Sequence, residues 1–110
     1  MLPSLQFAAG IGYRESGPRD APALVLLHGW TLDLDMWQRQ CEALRDAFRL
    51  VRFDRRGFGL STGEPAIAAD VADLTVLCDR LALRRVAVLG MSQGARVAIA
   101  FAANAPERVA

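Results

Sequence analysis

The residues Val86-Ala87-Val88-Leu89-Gly90-Met91-Ser92-Gln93-Gly94 run from four β-prone apolar positions into a turn with glycine on either side of a serine. Gln93 to Asn104, rich in small residues, reads as the helix that follows, and Pro106 stops it. A chain that passes sharply from strand to helix puts the turn residue into strained dihedrals and lifts its side chain clear of the sheet. The positions two before and two after must then lack bulk, which accounts for Gly90 and Gly94. Ser92 would stand at the amino end of the helix, where free N–H groups and the dipole favour developing negative charge. The same pentapeptide also admits a plainer reading, with Ser92 as an ordinary helix cap.

Upstream, Leu24-Val25-Leu26-Leu27 is a continuous apolar run closed by His28-Gly29. Without alternation it reads as a strand buried on both faces, as in parallel sheets. A helix is expected from Asp35 to Phe48, with Asp35 as cap, Gln38 in the capping-box position and Trp37, Cys41, Leu44 and Phe48 on its buried face. Arg49 to Phe53 is the second strand. Pro65 falls at a first-turn position of a second helix reaching Leu83, whose apolar face is Ile67, Val71, Leu74, Cys78 and Leu81. At the start, Leu5 to Phe7 and Ile11 to Tyr13 flank Ala8-Ala9-Gly10 as a short hairpin. Strands alternating with helices imply a parallel sheet covered on both faces.

The chain has 110 residues, 53% apolar and 23% charged, with a net charge of +1. This excludes intrinsic disorder, and the absence of a basic cluster excludes a nucleic-acid footprint. All 13 basic residues are arginine, a bias read as genome composition. No apolar run approaches the roughly 20 residues that cross a bilayer. The start, Met1 to Phe7, has neither a basic region nor a sustained apolar one, so no secretory leader is read. Cys41 and Cys78 share no metal-type spacing with each other or with His28. They are expected to be buried free thiols in a reducing cytoplasm, with no metal and no cofactor.

Two further loops give the turn at Ser92 its context. His28-Gly29-Trp30 follows the first parallel strand, and Asp54-Arg55-Arg56-Gly57-Phe58-Gly59-Leu60-Ser61 follows the second. With these, the sequence resembles the α/β-hydrolase-fold superfamily. Its members carry H-G-x, then D-x-R-G-x-G-x-S, then G-x-S-x-G after successive strands. Trp37, Asp70-Val71-Ala72-Asp73-Leu74 and Ala105-Pro106-Glu107-Arg108-Val109 support the match, which covers Ile11 to Ala110. Ala95 stands where many relatives have a second glycine.

The resemblance implies an open, mostly parallel sheet with helices on both faces and the amino-terminal hairpin. The first parallel strand would lie between the other two, and its loop would share a crevice with the Ser92 turn. It also implies roles. Ser92 would be the nucleophile, and the backbone N–H groups of Trp30 and Gln93 would form the oxyanion hole. His28, Gly29, Asp54, Arg56, Gly57, Gly59, Gly90 and Gly94 would be structural, with Asp54 and Arg56 tying their own loop. Met91 and Gln93 side chains could line a pocket. Haloalkane dehalogenases resemble the family but place aspartate at the nucleophile position. Serine here favours attack on a carbonyl, so a small-molecule ester, lactone, thioester or amide, or a carbon–carbon bond cleaved by retro-Claisen chemistry, would be the substrate.

In the family an acid and a histidine follow the nucleophile, whereas the single histidine here, His28, precedes Ser92. Residues 1–110 are therefore expected to be the amino-terminal part of one larger domain, inactive alone. The alternatives are a non-catalytic or truncated α/β module and, more remotely, a nucleotide-binding domain. Oligomeric state is not read from the sequence.

Overall fold

A computed structural model describes residues 3–110; Met1 and Leu2, within the start in which no leader is read, lie outside the described residues. Five strands form one sheet: β1 (Gln6–Ala8), β2 (Ile11–Ser16), β3 (Ala23–Leu27), β4 (Arg49–Phe53) and β5 (Ala87–Gly90). Their order is β1-β2-β4-β3-β5. β3 runs parallel to both β4 and β5, and β1 and β2 add an antiparallel hairpin at the β4 edge. The hairpin turns on Ala9 and Gly10, both at positive φ, as a two-residue connection that follows the strand twist requires.

Along β3 and β4 successive side chains face opposite layers. Val25, Leu27, Val51 and Phe53 join the larger core, with Leu74, Leu77 and Cys78 of α2 (Ile67–Arg80) and Val97 and Phe101 of α3 (Gln93–Asn104). Leu26 and Leu50 face the other way, onto Trp37 and onto Cys41 of α1 (Gln38–Leu44). Helices thus cover both faces. The connections leaving β3 and β5, neighbours in the sheet, depart to opposite sides. In open α/β sheets such a reversal marks where ligands settle, at the carboxyl ends of the strands.

Several boundaries differ from the sequence expectation. The helix expected over 35–48 is a 3₁₀ turn, Leu34–Trp37, followed by the shorter α1. Asp33, not Asp35, caps the turn by accepting from the Asp35 N–H. Asp35 pairs with Arg14 instead. Gln38 forms no capping box; its amide lies between Glu42 and the buried Arg52. Pro65 precedes α2 rather than opening it, because Ala66 holds the cap position. α2 ends at Arg80, where Leu83 N–H returns to the Cys78 carbonyl (2.8 Å) and Ala82 turns left-handed. Val86 precedes β5 and bridges in parallel to Val109.

Candidate active site

Ser92 has φ 56° and ψ −116°, a conformation that costs a non-glycine residue of order 1–3 kcal/mol. What holds it there is crowding on both sides. A Cβ on Gly90 would collide with the Gly94 carbonyl and Ala95 nitrogen, and one on Gly94 with the carbonyl oxygens of Leu27 and His28. α3 therefore starts directly against the end of β3. Met91 N–H donates to the Leu27 carbonyl (3.1 Å), and Ala95 N–H to the Ser92 carbonyl (3.0 Å). The Ser92 side chain is exposed and makes no capping hydrogen bond. A capping serine would engage the helix N–H groups, and Ser92 does not.

The His28 loop lies against this turn, as a Cβ on Gly29 would sit within 3.3 Å of Met91. Leu32 N–H closes the loop onto the Gly29 carbonyl (3.3 Å) with Thr31 at φ 62°, an outlying conformation for a β-branched residue. Trp30 is exposed and meets the Phe58 ring edge-on at 5.2 Å. Among the described residues the backbone N–H groups of Trp30 and Gln93 find no backbone acceptor. The two donors thus belong to segments in contact at the carboxyl end of the sheet.

His28 is fully buried. Its Nε2 accepts from the Arg55 N–H (2.8 Å), so Nδ1 carries the proton and donates to the Gly29 carbonyl (2.8 Å). Burial pushes its pKa below the ordinary 6.5, and the Arg55 charge adds to that. With both nitrogens engaged, the ring is a strut and has no free lone pair for a proton from Ser92.

Asp54 binds more than its own loop. One carboxylate oxygen accepts from Leu60 N–H (3.0 Å), within the loop, and the other from Leu34 N–H (2.8 Å), across to the segment after β3. A Cβ on Gly59 would overlap that carboxylate. Gly57 has φ 82° and packs against Pro65. Arg56, expected to tie its own loop, packs its stem on Gly63 of that loop and also reaches out, in a two-point pair with Asp73 of α2 (2.8 and 2.9 Å). Its free fork finds a carboxylate on the neighbouring helix before one in the loop.

The sequence reading gave Arg55 no role, although it is the most connected residue here. Its side chain is 1% exposed and pairs with Asp70, 0% exposed, at 2.9 Å. It also donates to the His28 carbonyl (3.2 Å) and to Gln93 Oε1 (3.0 Å), and lies over the Phe58 ring (5.2 Å). The Gln93 side chain, one candidate for lining a pocket, is thereby turned toward Arg55. One signal was available: Asp70 falls on the apolar stripe of α2 with Leu74, Leu77 and Cys78, where a carboxylate needs a buried cation. The stripe could not name which arginine.

Both cysteines are free and buried. Burial raises Cys41 and pushes Cys78 up to about 11, so neither is a ready nucleophile. Among the described residues no three His, Cys, Asp or Glu side chains gather to hold a metal ion, and no helix is long and apolar enough to cross a membrane. A cavity of about 810 Å³ opens away from Ser92, between the end of α2 and Glu107-Arg108. The convergence of three loops, and not this volume, marks the candidate site.

The alpha/beta hydrolase fold family matches residues 22–110. The chain belongs to that family. It is similar to a pimeloyl-[acyl-carrier protein] methyl ester esterase of Nitrosomonas europaea, 41% identical over 92 residues, which are 82% of this chain and 35% of that protein. It is 37% identical over 106 residues to a non-heme chloroperoxidase of Streptomyces lividans, covering 91% of this chain and 38% of the relative. Among solved structures it superposes on the enol-lactonase of Burkholderia xenovorans with a TM-score of 0.86 and 33% identity, over 96% of this chain and 44% of that one. The chain spans about a third of the length of the sequence relatives it matches.

Proposed function

We propose that this chain carries the nucleophile and oxyanion hole of a serine hydrolase acting on an ester, lactone or related acyl bond. The observation that carries the reading is Ser92 itself: left-handed, exposed, with its hydroxyl unused by the helix it precedes. In this reading Ser92 Oγ attacks the substrate carbonyl carbon and gives its proton to a base. The carbonyl π electrons move to oxygen, and the N–H groups of Trp30 and Gln93 receive that oxyanion. Collapse breaks the acyl carbon–oxygen bond as the base returns its proton to the departing alcohol or enol oxygen, leaving an acyl-serine that water then hydrolyses with the same base. One such donor contributes about 3 kcal/mol to transition-state stabilisation. Exposed Trp30, Leu32, Leu60 and Met91 on the surrounding loops give an apolar acyl group surface to cover.

The base is the part these residues do not supply, because His28 is committed to the fold. The proposal therefore places the acid and histidine in sequence outside residues 1–110, as part of the same domain. The esterase and lactonase among the relatives support acyl chemistry. The test is hydrolysis of p-nitrophenyl esters and simple lactones by the protein expressed from the full reading frame that encodes these residues. Ser92→Ala should lower kcat by several orders of magnitude, up to on the order of 10⁶ where serine and base act as a unit. Turnover unchanged by Ser92→Ala overturns the proposal, and a folded full-length protein with no turnover supports the non-catalytic module.

A further inference from the structure

Arg55 is an expensive residue to bury. A guanidinium removed from water requires a carboxylate and further acceptors, and Asp70 already satisfies the charge. The remaining donors therefore had a choice of acceptors, and their targets are specific. Nη1 holds the carbonyl of His28, two residues before Trp30. Nη2 holds the side chain of Gln93, whose own backbone N–H follows Ser92. The Arg55 backbone N–H also fixes the His28 ring. One planar, rigid, buried group thus touches both segments that carry the candidate oxyanion donors.

We infer that Arg55 is the positioning residue for both arms of the oxyanion hole, and that Gln93 is its handle on the second arm. The inference rests on the reading of Ser92 as nucleophile. The geometry gives the handle a particular logic. Gln93 occupies the first position of α3, where the backbone N–H has no intrahelical acceptor, and the segment before it is strained. A side-chain amide bonded to a buried arginine restrains that residue where the helix ladder cannot. Asp70 completes the arrangement with one carboxylate oxygen, Oδ2, which accepts from both Nε (3.0 Å) and Nη2 (2.9 Å). Lysine could keep the charge at this position but could not span Asp70, His28 and Gln93, since its ammonium is a point donor without the fork.

The test uses the protein from its full reading frame. Active serines are first titrated with a fluorophosphonate, and kcat and KM for p-nitrophenyl acetate are then expressed per titrated site. Arg55→Lys should lower kcat per site about 10- to 100-fold, the scale of a slightly misplaced catalytic group, with KM within about twofold. Gln93→Leu releases one arm without disturbing the buried charge, and so carries the test if Arg55→Lys fails to fold. It should lower kcat in the same way by about 10-fold. Because Gln93 acts only through its contact with Arg55, the double variant should fall well short of the product of the two single losses. A purely structural role predicts fewer titratable sites with normal kcat at each, and that result overturns the inference. Wild-type protein that is folded but takes up no fluorophosphonate overturns the parent reading instead, and this one with it.

Discussion

At the carboxyl ends of the parallel strands Arg55 gives its guanidinium to Asp70, the His28 carbonyl and Gln93. On the far side of α2, Arg108 gives its own to Asp79 and to the carbonyls of Leu83 and Arg84. The bonding lists are nearly interchangeable, one carboxylate and two neutral acceptors each. Burial is what separates them: 1% and 0% exposure for the first pair, 23% and 62% for the second. Each region also holds left-handed residues other than glycine, Thr31 and Ser92 near Arg55 and Ala82 near Arg108. The same local chemistry therefore ties the Arg108 segment to the end of α2 in one place and joins the His28, Asp70 and Gln93 segments in the other.

The largest effect expected follows from removing the buried partner. Arg55→Ala leaves Asp70 uncompensated and should cost about 3–5 kcal/mol in denaturant unfolding; a loss no greater than that of Arg108→Ala would erase the contrast. The next effect is in pH. The folded pKa of His28 lies below 6.5, so under pH 6.5 the unfolded chain takes up a proton that the folded chain refuses. Stability should fall with pH from about 6.5 down to the folded pKa, at up to about 1.4 kcal/mol per unit. His28→Gln, whose amide oxygen can take the place of Nε2 as acceptor for the Arg55 N–H but which does not titrate, should flatten that slope.

A matched pair of substitutions then compares strain. Thr31→Gly and Ala82→Gly each relieve a left-handed side chain and should each raise stability by about 1 kcal/mol in thermal melts. Kinetics should part them: Thr31→Gly loosens the Trp30 turn and lowers kcat, whereas Ala82→Gly leaves it unchanged. Smallest is Arg108→Ala, worth at most about 1 kcal/mol and less at high salt.

What could be read from sequence follows the same division. Continuous apolar runs and the glycine spacing at Gly90 and Gly94 disclosed the parallel strands and the tight turn, because both depend on local periodicity and bulk. The helix after β3 differs from its periodicity: Asp33 takes the cap in place of Asp35, and the first turn is 3₁₀. At the candidate site, Ser92, His28, Asp54 and the glycines stand at the strand ends where their motif positions put them. Arg55 was not legible, since its importance lies in acceptors 15, 27 and 38 residues away in the chain. Arg56 appeared to belong to its own loop for the same reason, its partner Asp73 being defined only once α2 has packed.

The central claim, that Ser92 is a nucleophile held ready by its backbone, has one direct measurement. A fluorophosphonate is added to the folded protein from its full reading frame, and the adduct is located by peptide mass spectrometry. The account predicts a single phosphonylated site at Ser92, absent from Ser92→Ala. A folded protein left unlabelled, or an adduct that persists in Ser92→Ala, would contradict it.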